Sequence, residues 1–211
     1  VYLFNAAGTV AGTVFRVDGF TVVPNAEVTL SNASGALAFA VTDATGAYRV
    51  ESVPLGEFTV DVFEAATARQ GYATGSIDIA GREVLLNITQ FGLGLVKGHV
   101  LETSSLAAVR GAMVTLESRL PSGRSAPFLT SVTDADGRFY FPGVTQGDFR
   151  VSARKRYDTP LGPRVASREV NGSLERDGQV VDLPVLLNVV GPQFGRVEGT
   201  VLTAVGSPSP F

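Results

Sequence analysis

His99-Val100-Leu101-Glu102 sets an imidazole and a carboxylate at a spacing from which a zinc site can be built. Such a site needs a second histidine. The 211-residue chain has one histidine and no cysteine, so neither a multi-histidine centre nor thiol chemistry is open to it. Asp134-Ala135-Asp136-Gly137 looks like part of a calcium loop. Calcium takes about six or more oxygens, and Asp134 and Asp136 offer two carboxylates, so a hairpin turn is the expected role and the pair is a weak calcium candidate. Gly92-Leu93-Gly94 opens like a phosphate loop, but that fingerprint needs a helix after it, and here a strand pattern follows. Residues 92–98 read instead as a linker between units. No pair of carboxylates is spaced for acid and base work. The expectation is a non-enzyme with no cofactor and no resident metal.

The composition says what elements must carry these residues. Twenty-four Gly and 11 Pro are too many turn-makers for a helical bundle, and charged residues make up 18%, against about 25% in an average globular protein. The net charge is −3, which disfavours nucleic acid as a partner. No apolar run approaches the ~20 residues that a membrane-spanning helix needs. The opening Val1-Tyr2-Leu3-Phe4 reads as though cut from something longer.

Repetition organises the chain. Val10-Ala11-Gly12-Thr13-Val14 returns as Val96-Lys97-Gly98-His99-Val100 and as Val197-Glu198-Gly199-Thr200-Val201. Ala26-Glu27-Val28-Thr29-Leu30 returns as Ala112-Met113-Val114-Thr115-Leu116. Thr42-Asp43-Ala44-Thr45-Gly46-Ala47-Tyr48 returns as Thr133-Asp134-Ala135-Asp136-Gly137-Arg138-Phe139. Two full units are expected, 11–95 and 96–195, flanked by 1–10 as a terminal strand of a preceding repeat and 196–211 as the first strand of a following or exchanged one. Within each unit, apolar residues two apart, as in Phe58, Val60 and Val62, mark half-buried strands. Asp or Asn opening and Gly closing the gaps mark hairpin turns. About seven strands per unit and no amphipathic helix predict an all-β protein of two tandem β-sandwiches. Val28, Leu30, Phe58 and Val60 should face one core, and Val114, Leu116, Phe149 and Val151 the other.

The order V-x-G-x-V, A-x-V-T-L, T-D-A-x-G-x-[YF], then after a short gap G-[ED]-[FY], resembles the carboxypeptidase regulatory-like domain. The resemblance implies a transthyretin-like, seven-stranded Greek-key sandwich, related to collagen-adhesin B-type repeats. It implies a non-catalytic module of extracellular or cell-surface proteins, bacterial in this reading, serving as stalk, fibre or adhesive surface. The B-type likeness also raises a Lys–Asn cross-link between Lys97 and Asn188. Position 97 is Ala11 and Glu198 in the other copies, so it is expected to face solvent, whereas that chemistry needs a buried, deprotonated lysine.

Charge is uneven. Residues 11–95 hold nine acidic and four basic residues, and 96–195 hold ten acidic and twelve basic, giving −5 and +2. Arg150, Arg154 and Arg156 share a parity opposite to Phe149 and Val151 and should form a basic stripe, with Arg164 and Arg168 adding to it. Glu57 and Asp61 should face outward on the matching strand. These residues are the expected interaction surface, with copies of the protein or neighbouring repeats as partners and a surface glycan or another protein as the alternative. Val197, Gly199 and Val201 alternate on a lone strand that could complete a sheet edge in another chain and polymerise it head to tail.

Overall fold

The computed structural model of the chain describes residues 6–120, 126, 128–159 and 161–189. Among these there are strands and turns but no helix. The first half holds β1 (Ala7–Phe15), β2 (Glu27–Asn32), β3 (Gly35–Val41), β4 (Ala47–Pro54), β5 (Gly56–Glu64), β6 (Arg69–Ile77), β7 (Glu83–Leu85) and β8 (Ile88–Thr89). The second holds β9 (Leu93–Glu102), β10 (Met113–Ser118), β11 (Leu129–Val132), β12 (Arg138–Thr145), β13 (Gly147–Thr159), β14 (Gly162–Leu174) and β15 (Val180–Leu187).

The strands form four sheets. One pair is β4-β1-β7, with β8 also on β1, and β3-β2-β5-β6; the other is β12-β9-β15 and β11-β10-β13-β14. The first strand of each repeat is central, antiparallel to β4 or β12 and parallel to β7 or β15. Each pair of sheets closes on its own apolar layer. Val10, Val28, Leu30, Phe58 and Val60 meet in one, and Val96, Val114, Leu116, Phe149 and Val151 in the other. All eight residues expected to face inward are buried. Each such side chain taken out of water is worth about 1.5–3 kcal/mol, which is what selects this register over a one-residue slip.

The recurring blocks of the repeat have separate physical causes. The glycine of V-x-G-x-V marks a close approach. A Cβ on Gly12 would lie 1.9 Å from the Leu86 carbonyl oxygen, and one on Gly98 would lie 1.9 Å from that of Leu183. In T-D-A-x-G, the Asp43 carboxylate accepts from the Thr45 and Ala47 amides at 2.7 and 3.0 Å, and Asp134 accepts from Asp136 and Arg138 at 2.9 and 2.8 Å. Gly46 and Gly137 close these turns at φ 73° and 74°, where a Cβ is disfavoured. The threonine just before each turn is buried and works as a staple. Thr42 Oγ1 donates to the Val23 carbonyl at 2.7 Å and accepts from the Ala26 amide at 2.8 Å. Thr133 does the same with Val109 and Ala112 at 2.6 and 2.8 Å.

Two local expectations change, and one strand is broken. The last strand of the first unit is interrupted at Leu86-Asn87, giving β7 and β8, and the Asn87 side chain rather than its backbone accepts from the Thr13 amide at 2.9 Å. The stretch 92–98, read as a linker, belongs from Leu93 onward to β9. Finally, Arg164 and Arg168 do not extend the arginine stripe. They pair with Tyr157 and Ala153, which have the opposite parity to Arg150, Arg154 and Arg156 and so lie on the other face of the sheet.

Candidate functional site

The residues that suggested chemistry are dispersed by the strand geometry. His99 lies on β9 opposite Arg138, whose Nε donates to His99 Nε2 at 3.4 Å. Glu102 is an odd number of residues away along the same strand and so faces the other side. Its carboxylate folds the following turn, accepting from the Ser104 and Ser105 amides at 3.0 and 2.6 Å and from both hydroxyls at 2.7 Å. Those bonds, led by the Ser105 and Ser104 hydroxyls, hold it down to about 2. Asp134 spends its acceptors on the turn, and Asp136 pairs with Arg138 Nη1 at 2.7 Å. Among the described residues, no three His, Asp or Glu side chains converge as a metal site. Lys97 is half-exposed and lies 3.8 Å from the Asp182 carboxylate, and Asn188 is exposed just beyond β15. Neither has the buried setting that a Lys–Asn cross-link requires.

Two polar clusters that single-residue reading overlooked are more organised. In the first, Glu64 at the end of β5 is 6% exposed. Arg16 grips it with two bonds of 2.9 and 3.0 Å, Thr67 Oγ1 donates at 2.5 Å and Gln90 Nε2 donates at 3.2 Å. Burial alone would raise the Glu64 carboxyl, but the bonds from Arg16, Thr67 and Gln90 outweigh it and hold it below its ordinary range. Gln90 is itself buried, and its Oε1 has no hydrogen-bond partner among the described residues.

The second cluster lies where the chain passes from one unit to the next. The Phe91 amide donates to the Gln70 carbonyl at 2.7 Å, and the Phe91 carbonyl accepts from Arg69 Nη1 at 3.2 Å. The Gly92 amide donates to Gln146 Oε1 at 3.1 Å, and its carbonyl accepts from the Gln146 amide at 2.8 Å. The Leu93 amide donates to Asp177 Oδ1 at 2.9 Å, and its carbonyl accepts from the Gly178 amide at 2.8 Å. Every backbone polar group of these three residues is therefore taken. Arg69 reaches across to Asp177 at 2.9 Å, and its hydrogen bond is the main reason the Asp177 carboxyl sits below its ordinary range. A Cβ on Gly92 would lie 2.9 Å from both Asp177 Cα and Gln146 Oε1. Glycine here serves packing rather than freedom. The Gly and Gln spacing gave no sequence signal of this joint, because its partners lie 54 and 84 residues away.

The two outer sheet faces carry the expected interaction residues. Arg150, Arg154 and Arg156 are exposed on β13. Arg150 is partly matched by Glu169 at 3.7 Å, whereas Arg154 and Arg156 have no ion pair among the described residues. On β5, Glu57 is exposed and Asp61 half-exposed, both on the face opposite the core. Val197, Gly199 and Val201 lie outside the described residues.

No curated protein matches the chain. Solved structures similar to it include the Bacillus anthracis TIE protein, at 16% identity over 86% of this chain and 34% of that one, with a TM-score of 0.38. A streptococcal ancillary pilin is similar at 14% identity over 86% of this chain and 63% of that one, with a TM-score of 0.47. A minor pilin of Streptococcus agalactiae is similar at 12% identity over 90% and 100%, with a TM-score of 0.45. The chain spans about a third of the first of these and less than two thirds of the second. Residues 9–89, which hold the first run of blocks from β1 to β8, match the model of the carboxypeptidase regulatory-like domain.

Proposed function

We propose that this chain is a non-catalytic structural module of a cell-surface protein, a stiff segment of a stalk, fibre or adhesin shaft. The units expected at 11–95 and 96–195 begin a few residues earlier, with β1 at Ala7 and β9 at Leu93, so that Val10 belongs to the first core, and 196–211 is assigned to a following or exchanged repeat. The observation that carries the reading is the joint at 91–93. A tether between independent modules leaves its backbone to water. Here all six backbone groups are bound to the flanking units, and an ion pair spans the joint. That is the construction of a spacer that transmits orientation. The match of residues 9–89 to a regulatory-like domain supports a supporting role over a catalytic one.

The reading extends to head-to-tail assembly, with the strand carrying Val197, Gly199 and Val201 adding to a sheet edge of another copy. The edge of β3 suits an acceptor. Among described edge strands longer than four residues, it alone has neither a charged residue nor a proline to deter pairing. Such a contact is heterologous and builds a filament.

Limited proteolysis tests the joint. A clamped linker is cut slowly by a non-specific protease, and Gln146→Ala with Asp177→Ala should expose 91–93 and release two fragments that each stay folded. Equal cleavage rates in wild type and variant would contradict the reading. Removing 196–211 tests strand addition: a filament former becomes monomeric, and unchanged assembly rejects that route.

A further inference from the structure

The outer row of β3 is inverted relative to ordinary strand patterning. Its large residues Leu37, Phe39 and Val41 point outward, Phe39 at 77% and Val41 at 60% exposure, while Ala38 and Ala40 pack on the core. An isolated exposed apolar residue needs no explanation, but a row of them on one face marks a contact. The register continues that row across the sheet. Val41 lies beside Glu27, which lies beside Phe63, itself 38% exposed.

The second unit repeats this row with different chemistry. Val132 lies beside Met113, which lies beside Arg154. Met113 is 51% and Val132 64% exposed. The repeat therefore puts Met113 where the first unit has Glu27, and Arg154 where it has Phe63. One face offers a carboxylate and aromatic rings; the other offers a guanidinium and apolar side chains. An arginine satisfies both halves of the first face at once, pairing with a carboxylate and lying on a ring. The charges of the units, −5 and +2 for 11–95 and 96–195, have the signs such a contact needs.

We propose that the outer face of the first unit, around Phe39, Phe63 and Glu27, docks on the outer face of the second unit, around Arg154 and Met113, of a second copy of this chain. The proposal deepens the shaft reading by adding a lateral contact, and it rests on that reading only for the presence of many copies side by side. It does not require the strand at 197–202.

Sedimentation velocity of the full chain over a range of concentration tests it, with Glu27→Arg, Arg154→Glu and the double exchange. All four proteins should melt alike, since both sites are on the surface. Wild type should associate, and each single charge reversal should weaken association by about tenfold or more. The double exchange should restore it, and raising salt from about 50 to about 500 mM should weaken it. Phe39→Ser should weaken association at every salt concentration. A chain monomeric throughout, or single reversals without effect, overturns the proposal, as does a double exchange no better than the singles. Association that disappears on deleting 196–211 but ignores the charge reversals also overturns it while keeping strand addition. A monomer whose Phe39 and Phe63 face is retained on a glycan array overturns it in favour of a sugar ligand. In each of these outcomes the proteolysis test of the joint still decides the shaft reading separately.

Discussion

At the scale of single residues, the buried polar groups are the most exacting part of this protein. Thr133 holds an amide and a carbonyl from one loop against the core with one hydroxyl. Thr133→Val keeps the shape and strands both backbone partners, so the second unit should lose about 2 kcal/mol in chemical denaturation. A change below about 0.5 kcal/mol would show that water replaces the hydroxyl. The threonine itself was visible in the repeat, but its role was not, because the bond partners precede it by about twenty residues and follow no period. Glu64 has the opposite history. Nothing in its neighbourhood of sequence separates it from other surface glutamates, yet it is buried against Arg16. Its carboxyl is lower folded than unfolded, so its contribution is present above its unfolded value, near 4.5, and is lost as pH falls through the folded value. The first unit's melting temperature should fall over that acid range, and Glu64→Gln should flatten the fall while lowering stability at neutral pH. A variant with the wild-type acid profile would remove Glu64 as its source. His99, the residue that first suggested chemistry, is half-buried on β9 and accepts from Arg138. His99→Ala should change stability by less than about 0.5 kcal/mol.

At the scale of elements, period and punctuation made most strands legible. Phe58, Val60 and Val62 alternate because one face of β5 is buried, and the same holds for Phe149, Val151 and Ala153 on β13. The turns at Asp43 and Asp134 were legible because Asp and Gly have a local mechanism. What was hidden is non-local. The break at Asn87 depends on a partner 74 residues away, and the face of Arg164 and Arg168 depends on a hairpin register that cannot be fixed without knowing the turn. Phe149 shows how an element depends on its neighbour. A Cβ on Gly172, across the hairpin on β14, would lie 2.5 Å from Phe149 Cζ, so the far end of the ring fills the space that the glycine leaves. Phe149→Ala should cost about 3–5 kcal/mol by opening a cavity there. Calorimetry should show the second unit melting earlier with the first unit unmoved. A single shared transition that shifts as a whole would mean that the two cores unfold as one.

At the scale of the whole molecule, the sequence disclosed repetition and charge asymmetry, while the connection between the units had to be seen. The three residues 91–93 look like a tether and are instead bound on every backbone group, with Asp177 and Arg69 closing the joint. The Asp177 carboxyl is held low chiefly by Arg69, so acid should weaken this contact of the joint only below that carboxyl's ordinary range. The absence of cysteine makes the decisive measurement clean, because spin labels attach only where cysteines are introduced. Labels at Ala44 and Ala135, on the equivalent exposed turns of the two units, give the distance distribution between them by pulsed electron resonance. A stiff segment predicts one narrow distribution for the otherwise wild-type chain at neutral pH, broadened by Asp177→Ala. A broad distribution without the substitution, unchanged when Asp177 is removed, would contradict the account.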